Sequence, residues 1–128
     1  MDNPIRVFVV DDDSKLLTVW ERFLKKSPGI ECVGTSLGDV ALAKIITESQ
    51  AQVAILDLSI PQIDPLDVIT ELAQAPVPTR VLIYSGRSDL GLKEKLEQAG
   101  AWGFADKLEN PHTVVDRIRQ IAEGVKVF

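Results

Sequence analysis

A unit made of one strand-like run and one amphipathic, helix-like segment recurs five times along this chain. Runs that are apolar almost throughout, such as Ile5–Val10 and Val53–Leu56, are typical of strands buried on both faces of a parallel sheet. Strict alternation of strands and helices implies right-handed crossovers, so helices must cover both faces of the sheet. The sequence therefore predicts an α/β fold with a five-stranded parallel sheet, for which we expect the strand order 2-1-3-4-5.

The same pattern predicts bounds for the ten elements. The strands are expected at Ile5–Val10, Glu31–Ser36, Val53–Leu58, Thr79–Ser85 and Trp102–Ala105. The helices are expected at Ser14–Lys26, Asp39–Ser49, Leu66–Gln74, Asp89–Ala99 and Pro111–Glu123. A chain of 128 residues suits one hydrophobic core, so we expect residues 1–128 to form a single domain.

Composition and charge limit the functions that this chain can carry. With a net charge of −5, it lacks the basic face that a domain needs to bind nucleic acid itself. No apolar stretch approaches the ~20 residues that span a bilayer. The single cysteine, Cys32, excludes an internal disulfide and fits a reducing compartment. We therefore expect a cytoplasmic domain that directly contacts neither nucleic acid nor membrane.

Polar residues stand at the carboxyl ends of four of the predicted strands. In an open parallel sheet these ends meet at one edge, where ligand sites form. The residues concerned are Asp11, Asp12, Asp13, Asp57, Ser85, Asp106 and Lys107. Because strands one and three are predicted neighbours, Asp11 and Asp12 should meet Asp57. We therefore expect three carboxylates, a hydroxyl and an ammonium group to converge.

This group of side chains suits a divalent cation and a phosphoryl group. Three carboxylates in one cleft repel one another and are costly to desolvate, so such a cluster persists when a cation compensates it. Oxygen ligands of this kind favour Mg²⁺ or Mn²⁺ over zinc. Asp57 ends the most buried strand and is the predicted nucleophile, because a carboxylate can attack phosphorus to give an acyl phosphate. Lys107 would neutralise the transferred group, and Ser85 would donate a hydrogen bond to it.

The run of three aspartates leaves the register of the metal ligands open. Asp13 precedes the first helix, where it or Ser14 would serve as the N-cap. We prefer Asp11 and Asp12 as ligands, because the apolar strand stops at Val10.

The sequence also predicts where several aromatic and basic side chains lie, with two alternatives for two of the aromatics. Phe104 is either a core aromatic or part of a switch, and Trp102 is either core or an exposed partner surface. His112 is expected to have a surface or cap role at the start of the last helix. Arg117 and Arg119 are expected on a solvated face.

Four segments carry the residues of the predicted site: Val9-Val10-Asp11-Asp12, Asp57-Leu58-Ser59-Ile60-Pro61, Ile83-Tyr84-Ser85-Gly86 and Gly103-Phe104-Ala105-Asp106-Lys107. Each is a weak motif alone, but the four occur in order and their spacing covers essentially the whole chain. Together they resemble the receiver domain of two-component response regulators, a family with a flavodoxin-like fold.

The resemblance implies a role for each residue of the site. Asp57 would be the phosphoacceptor, modified by a sensor histidine kinase or a phosphotransfer protein. Mg²⁺ or Mn²⁺ would be bound by Asp12 directly, by Asp11 partly through water, by Asp57, and by the backbone carbonyl of Ser59. The switch hydroxyl, the switch aromatic and the phosphate-contacting lysine would be Ser85, Phe104 and Lys107.

The resemblance also implies a switch with downstream partners. Movement of Ser85 toward the phosphoryl group would vacate space for Phe104 and reshape the face formed by helix four, strand five and helix five. That face would signal to a downstream protein or to an attached output domain, such as the DNA-binding domain of a transcription regulator, and a homodimer formed on phosphorylation is a further expected partner. Leu108 follows Lys107 where the family commonly has proline, and Ser59 and Arg87 match positions that tune dephosphorylation.

Three alternatives remain open. A phosphorylation-independent docking module would share the fold. Haloacid-dehalogenase-type phosphatases also carry two aspartates after a strand, here Asp11 and Asp13, but they need a further acidic motif beyond the lysine, where only Glu109, Asp116 and Glu123 follow. A flavodoxin-like cofactor binder would need a phosphate-cradling loop after strand one, where this chain has acids.

Overall fold

The computed structural model describes residues 3–86 and 90–128, apart from the side chain of Leu90. Arg87 lies outside the described residues, and so does Asp89, at which the fourth helix is predicted to begin. Within them, five parallel strands alternate with five helices, and the strands lie in the order 2-1-3-4-5. The predicted α/β fold and strand order are therefore confirmed. In the part of the chain that is described, no helix has the length and apolar character needed to cross a membrane.

The strands and helices have the following bounds. The strands are β1 (Ile5–Val10), β2 (Ile30–Ser36), β3 (Val53–Asp57), β4 (Arg80–Ser85) and β5 (Gly103–Asp106). The helices are α1 (Ser14–Lys25), α2 (Leu42–Glu48), α3 (Pro65–Gln74), α4 (Leu90–Ala99) and α5 (Pro111–Ala122).

The register of the strands brings their carboxyl ends to one edge. β1 pairs with β3, and Val10 lies opposite Leu56, so Asp57 follows one residue beyond that pair. At the other side of β3, β4 continues the sheet, and Ser85 at its end lies opposite Asp106 of β5. Residues that end different strands therefore share a single cleft.

Alternate residues of the central strands pack on opposite faces of the sheet. Val7 and Val9 contribute to the core beneath α1 and α5, whereas Phe8 and Val10 contribute to the core beneath α2, α3 and α4. The helical side chains of the first layer include Leu17, Trp20, Leu24, Val114, Ile118 and Ile121. Those of the second layer include Ile46, Ile69, Leu72 and Leu96. Two apolar layers thus hold the sheet rigid behind its functional edge.

Apart from Asp89, which lies outside the described residues, the predicted bounds hold or move by one residue except at α2, which begins at Leu42 rather than at Asp39. The Asp39 carboxylate accepts the backbone N–H of Ala41 at 2.8 Å, so a side-chain turn replaces the first helical turn. α3 begins at Pro65, because Asp64 caps it and proline suits the first helical position.

The residues after α5 form a strand-like segment that the sequence did not predict. Gly124 adopts a φ of 94°, a left-handed conformation that glycine tolerates at helix ends. Beyond it, Val127 forms a parallel bridge with Gly103. The N–H of Phe104 donates to the Val127 carbonyl at 3.0 Å, and the Val127 N–H donates to the Trp102 carbonyl at 2.9 Å. This segment therefore covers part of the outer edge of β5.

Candidate functional site

The structure brings Asp11, Asp57 and Lys107 into direct contact at the carboxyl edge of the sheet. Asp57 ends β3, Asp11 follows β1, and Lys107 follows β5. The Lys107 Nζ lies 3.0 Å from Asp57 Oδ2 and 3.5 Å from Asp11 Oδ2. Both carboxylates are buried, whereas the lysine side chain keeps 29% of its surface exposed. A buried acidic pair is thus bridged by one ammonium group that solvent can still reach.

Asp12 completes a cluster of three carboxylates. One oxygen from each of Asp11, Asp12 and Asp57 lies within 4.8 Å of the others, and Asp12 is the exposed member. Three negative charges against the single positive charge of Lys107 leave a formal charge of −2 in this cleft. Hard, anionic oxygen ligands with that charge suit a divalent cation such as Mg²⁺.

Asp13 has a different role from its two neighbours. Its carboxylate accepts the backbone N–H groups of Lys15 and Leu16, so it is the N-cap of α1. Its own N–H donates to Asp11 Oδ1 at 2.9 Å. Of the three consecutive aspartates, the first two therefore belong to the cluster and the third caps the helix. The N-cap role expected for Asp13 is confirmed, and metal binding by Asp11 and Asp12 stays a prediction.

The two oxygens of Asp57 have separate partners. Oδ2 accepts the hydrogen bond from Lys107, and Oδ1 accepts both the backbone N–H of Ser59 at 3.0 Å and the Ser59 hydroxyl at 2.8 Å. The sequence singled out the backbone carbonyl of Ser59 and missed its hydroxyl. The signal was available, because a serine two residues after an aspartate commonly enters a side-chain turn. These contacts fix the carboxylate plane at the end of β3.

The electrostatics of the site follow from its burial and its charges. Burial raises the pKa of the Asp11 carboxyl, and the charge of Asp57 adds to that effect, although the Asp13 N–H and Lys107 oppose it. Burial lowers the pKa of Lys107, but its hydrogen bond to Asp57 and the charges of both carboxylates more than compensate, so the pKa lies above its usual value. Lys107 therefore stays positively charged at neutral pH.

Of the two predicted switch residues, Ser85 contacts the cleft and Phe104 lies in the core. Ser85 is buried at the end of β4, and its carbonyl accepts the Lys107 N–H at 3.0 Å. Phe104 is already buried in the core beneath α2, α3 and α4, with Lys93 Nζ 5.1 Å from its ring centre. In this conformation Phe104 belongs to the core, and its role as the switch aromatic stays a prediction. Arg87 lies outside the described residues.

Trp102 and His112 both have defined surroundings in the structure. Trp102 is half-buried, with Arg80 4.3 Å and Lys126 5.6 Å from its ring. His112 stacks edge-on against Phe23 with ring centres 5.0 Å apart, on the side of the sheet that α1 and α5 cover.

Arg117 corrects the expectation of a solvated face. Its guanidinium pairs with the Glu109 carboxylate at 2.8 Å and donates to the Phe104 carbonyl at 2.7 Å. Arg119, in contrast, pairs with the exposed Asp116 at 3.4 Å and donates to the Pro28 carbonyl. No local pattern distinguishes the two arginines, because the difference depends on the loop that follows β5.

The family model of the response regulator receiver domain matches residues 7–119. Among curated relatives, the Bordetella pertussis virulence factors transcription regulator BvgA is 30% identical over 94% of this chain and 57% of its own length. Response regulator UvrY from Escherichia coli is 30% identical over 94% of this chain and 55% of its own length. This chain thus spans a little over half the length of these relatives.

A solved structure gives the same result for the fold. The signal receiver domain of the response regulator NarL from Mycobacterium tuberculosis aligns with a TM-score of 0.88 and 28% identity, covering 96% of this chain and 99% of that one. The similarity therefore extends over nearly the whole chain.

Proposed function

This chain belongs to the response regulator receiver domain family, and we propose that it accepts a phosphoryl group on Asp57 from a sensor histidine kinase or a phosphotransfer protein. The observation that carries the proposal is the environment of Asp57. Its carboxylate is buried, oriented by Ser59, and faces the ammonium group of Lys107 at 3.0 Å. A nucleophile next to a fixed positive charge is what phosphoryl transfer requires.

The proposed reaction forms one bond and breaks one. An oxygen of the Asp57 carboxylate attacks the phosphorus of a phosphohistidine, and a P–O bond forms as the P–N bond breaks. The imidazole nitrogen leaves with the electron pair of that bond. Lys107 compensates the negative charge on the phosphoryl oxygens, and Ser85, at the end of the neighbouring strand, donates a hydrogen bond to one of them.

We propose Mg²⁺ or Mn²⁺ as the cofactor. Asp11, Asp12, Asp57 and the Ser59 backbone carbonyl would hold it, and the spacing of the three carboxylates supports this assignment. When bound, the ion supplies charge neutralisation for the phosphoryl oxygens. The net charge of −2 in the cleft matches a divalent cation.

We propose that phosphorylation shifts an equilibrium between two conformations of the domain. A shift from 1:99 to 99:1 requires ~5.5 kcal/mol. One charge-assisted hydrogen bond contributes ~1.5–3 kcal/mol, so Ser85 alone is insufficient. Phe104 is already buried and would add little further burial. The larger share would come from contacts of Lys107 and the metal with the phosphoryl group.

The signal would pass to a downstream protein or to an output domain. The relative BvgA, which is named as a transcription regulator, is matched over only 57% of its own length, and this supports an attached DNA-binding domain as one such output. Homodimerisation on phosphorylation and a cytoplasmic location are part of the same proposal.

The domain would be a phosphoacceptor rather than an enzyme. The phosphatase alternative needs Asp13 at the reacting group, and the capping role of that carboxylate argues against it.

The test is intact-mass measurement after incubation with acetyl phosphate, with and without Mg²⁺. We expect a Mg²⁺-dependent gain of one phosphoryl group in the wild type, its loss in Asp57→Asn, and its retention in Asp67→Asn, which changes an exposed carboxylate on α3.

Two other outcomes would contradict the proposal. Absence of an adduct, with no conformational response to beryllofluoride, would favour the phosphorylation-independent docking module. Steady consumption of acetyl phosphate without an adduct would favour the phosphatase.

A further inference from the structure

We propose that Glu109 and Arg117 are positioning residues that hold Lys107 in reach of Asp57. Within the described part of the chain, neither side chain forms a hydrogen bond or ion pair with the carboxylate cluster. They act on the turn that joins β5 to α5, from which Lys107 projects. The inference rests on the proposed phosphoryl transfer and goes beyond it, because it assigns a role to a pair that the four site segments do not contain.

The turn that carries Lys107 is closed by Glu109. The Glu109 N–H donates to the Asp106 carbonyl at 3.0 Å, and the Asp106 carboxylate accepts the Leu108 N–H at 2.8 Å. The Glu109 carboxylate then folds back, and its Oε1 accepts the Asp106 N–H at 2.8 Å. Lys107 is thus the second residue of a four-residue turn whose first and last residues are joined twice.

Arg117 fixes this turn to α5 and to β5. Its two terminal nitrogens form a fork with the two oxygens of Glu109, both at 2.8 Å, and Nη1 also donates to the Phe104 carbonyl at 2.7 Å. Forked pairs of this kind are stronger and more directional than single hydrogen bonds. Both side chains are only 27% exposed, so solvent screens the pair less than it screens a surface salt bridge.

Other contacts of the turn are made by its backbone. The Lys107 N–H donates to the Ser85 carbonyl at 3.0 Å, and the Lys107 carbonyl accepts from the Tyr84 hydroxyl at 3.4 Å, so both tie Lys107 to β4. Leu108, the residue after Lys107, is 94% exposed and therefore adds no apolar packing. The carboxyl side of the turn depends on Glu109 and on the Asn110 cap of α5. Loss of the fork should let the Lys107 ammonium drift from Asp57, although the fold persists.

The test compares phosphorylation rates of Glu109→Ala, Arg117→Met and the double variant, using acetyl phosphate at saturating Mg²⁺. We expect each single variant to be slower by about tenfold, since a misplacement of ~1 Å can cost up to ~100-fold. The double variant should be no slower than either single one, because the pair acts as a unit. Glu109→Gln keeps an acceptor for the Asp106 N–H and should recover part of the rate.

A second readout separates positioning from general damage. Mn²⁺ binding, followed by electron paramagnetic resonance, should stay at the wild-type affinity or become tighter, because Lys107 competes with the ion for Asp11 and Asp57. Arg119→Met is the matched control, since it removes an arginine of the same helix that pairs with exposed Asp116 and does not touch the turn. It should leave the rate and the affinity unchanged.

The positioning role of Glu109 and Arg117 and the proposed phosphoryl transfer would be overturned by different results. Wild-type rates in Glu109→Ala and Arg117→Met at a temperature where both are folded would overturn the positioning role. A parallel loss of rate and Mn²⁺ affinity would also overturn it, since it would indicate general damage to the cleft. If the wild type itself gained no phosphoryl group, the proposed function would fail first.

Discussion

At the scale of single residues, the consecutive aspartates after β1 divide two tasks. Asp12 lies within the carboxylate cluster but remains exposed, whereas Asp13 caps α1. One of these two neighbours in sequence thus lies in the carboxylate cluster, and the other caps a helix. Substitution of Asp12 should therefore affect metal binding, whereas substitution of Asp13 should affect the free energy of unfolding.

We expect Asp12→Ala to weaken Mg²⁺ binding by more than about tenfold, because it removes one anionic ligand. Its free energy of unfolding without metal should not fall, since the substitution also relieves repulsion from Asp11 and Asp57. Asp13→Ala should instead lower the free energy of unfolding by about 1 kcal/mol through loss of the cap. Metal titration and urea denaturation of both variants check this pair, and reversed effects would exchange the two assignments.

The ionisation of Tyr84 reports the charge of Lys107. Tyr84 is the only tyrosine of the chain, and its hydroxyl lies 3.4 Å from the Lys107 carbonyl. Burial raises the pKa of its phenol above 10.0, while the Lys107 ammonium lowers it. Lys107→Met should therefore raise the pKa of Tyr84 further, as followed by absorbance at 295 nm. The same titration of Lys44→Met, which changes an exposed lysine of α2, should match the wild type.

The direction of these shifts determines how stability responds to alkaline pH. The native state holds the Tyr84 proton more tightly than the unfolded chain does, so the free energy of unfolding falls as the pH rises above about 10. Lys107, whose pKa is also raised, contributes stability that is lost over a similar range. A flat stability profile there would contradict both shifts.

At the scale of elements, the segment after α5 changes the nature of β5. An exposed edge strand presents unpaired backbone groups, and here Val127 satisfies groups of Trp102 and Phe104. The same segment places Val127 against Gly103, where a Cβ would lie 2.7 Å from Val127 Cγ2. The strand that carries Phe104 is therefore held on its outer side by the C-terminal residues.

Removal of residues 125–128 should lower the free energy of unfolding by about 1–3 kcal/mol, since two interstrand hydrogen bonds are lost. Chemical denaturation measures this change. As a control, Lys126→Ala removes a half-exposed ion pair with Glu97, whose 3.9 Å separation predicts a loss below about 1 kcal/mol. Equal stability of the shortened and full chains would show that the bridge contributes nothing.

At the scale of the whole molecule, the fold concentrates negative charge at one edge of the sheet. The chain has a net charge of −5, and the cleft alone carries −2. The apolar layers on both faces of the sheet hold the strands together and so position the three carboxylates close to one another against this repulsion. A cation that binds there should stabilise the native state over the unfolded one.

We expect MgCl₂ to raise the thermal midpoint, with ~2.7 kcal/mol of stabilisation at a concentration 100 times the dissociation constant. NaCl of equal ionic strength should give a smaller increase, because it only screens the carboxylates. Removal of Mg²⁺ with EDTA should reverse the effect, and Asp12→Ala should abolish most of it. Identical midpoints in MgCl₂ and NaCl would indicate screening without a site.

The sheet, its strand order and the set of residues that meet at its edge can be predicted from the pattern of apolar runs. Apolar runs that alternate with helical segments predict parallel strands. The residue that follows each run, such as Asp57 or Ser85, is then expected at the carboxyl edge of the sheet. The residue at which a helix begins is harder to predict from sequence, because side chains such as Asp39 form local turns that compete with the first helical turn.

In contrast, the burial of neighbouring residues and the pairing of distant ones depend on how the whole chain packs. Asp11 is buried and Asp12 exposed, Arg117 pairs with Glu109 whereas Arg119 faces a surface acid, and Val127 returns to β5. Each of these outcomes depends on where a turn directs the chain after a regular element ends. Periodicity carries no signal about that path, so the contacts are set by packing of the folded whole.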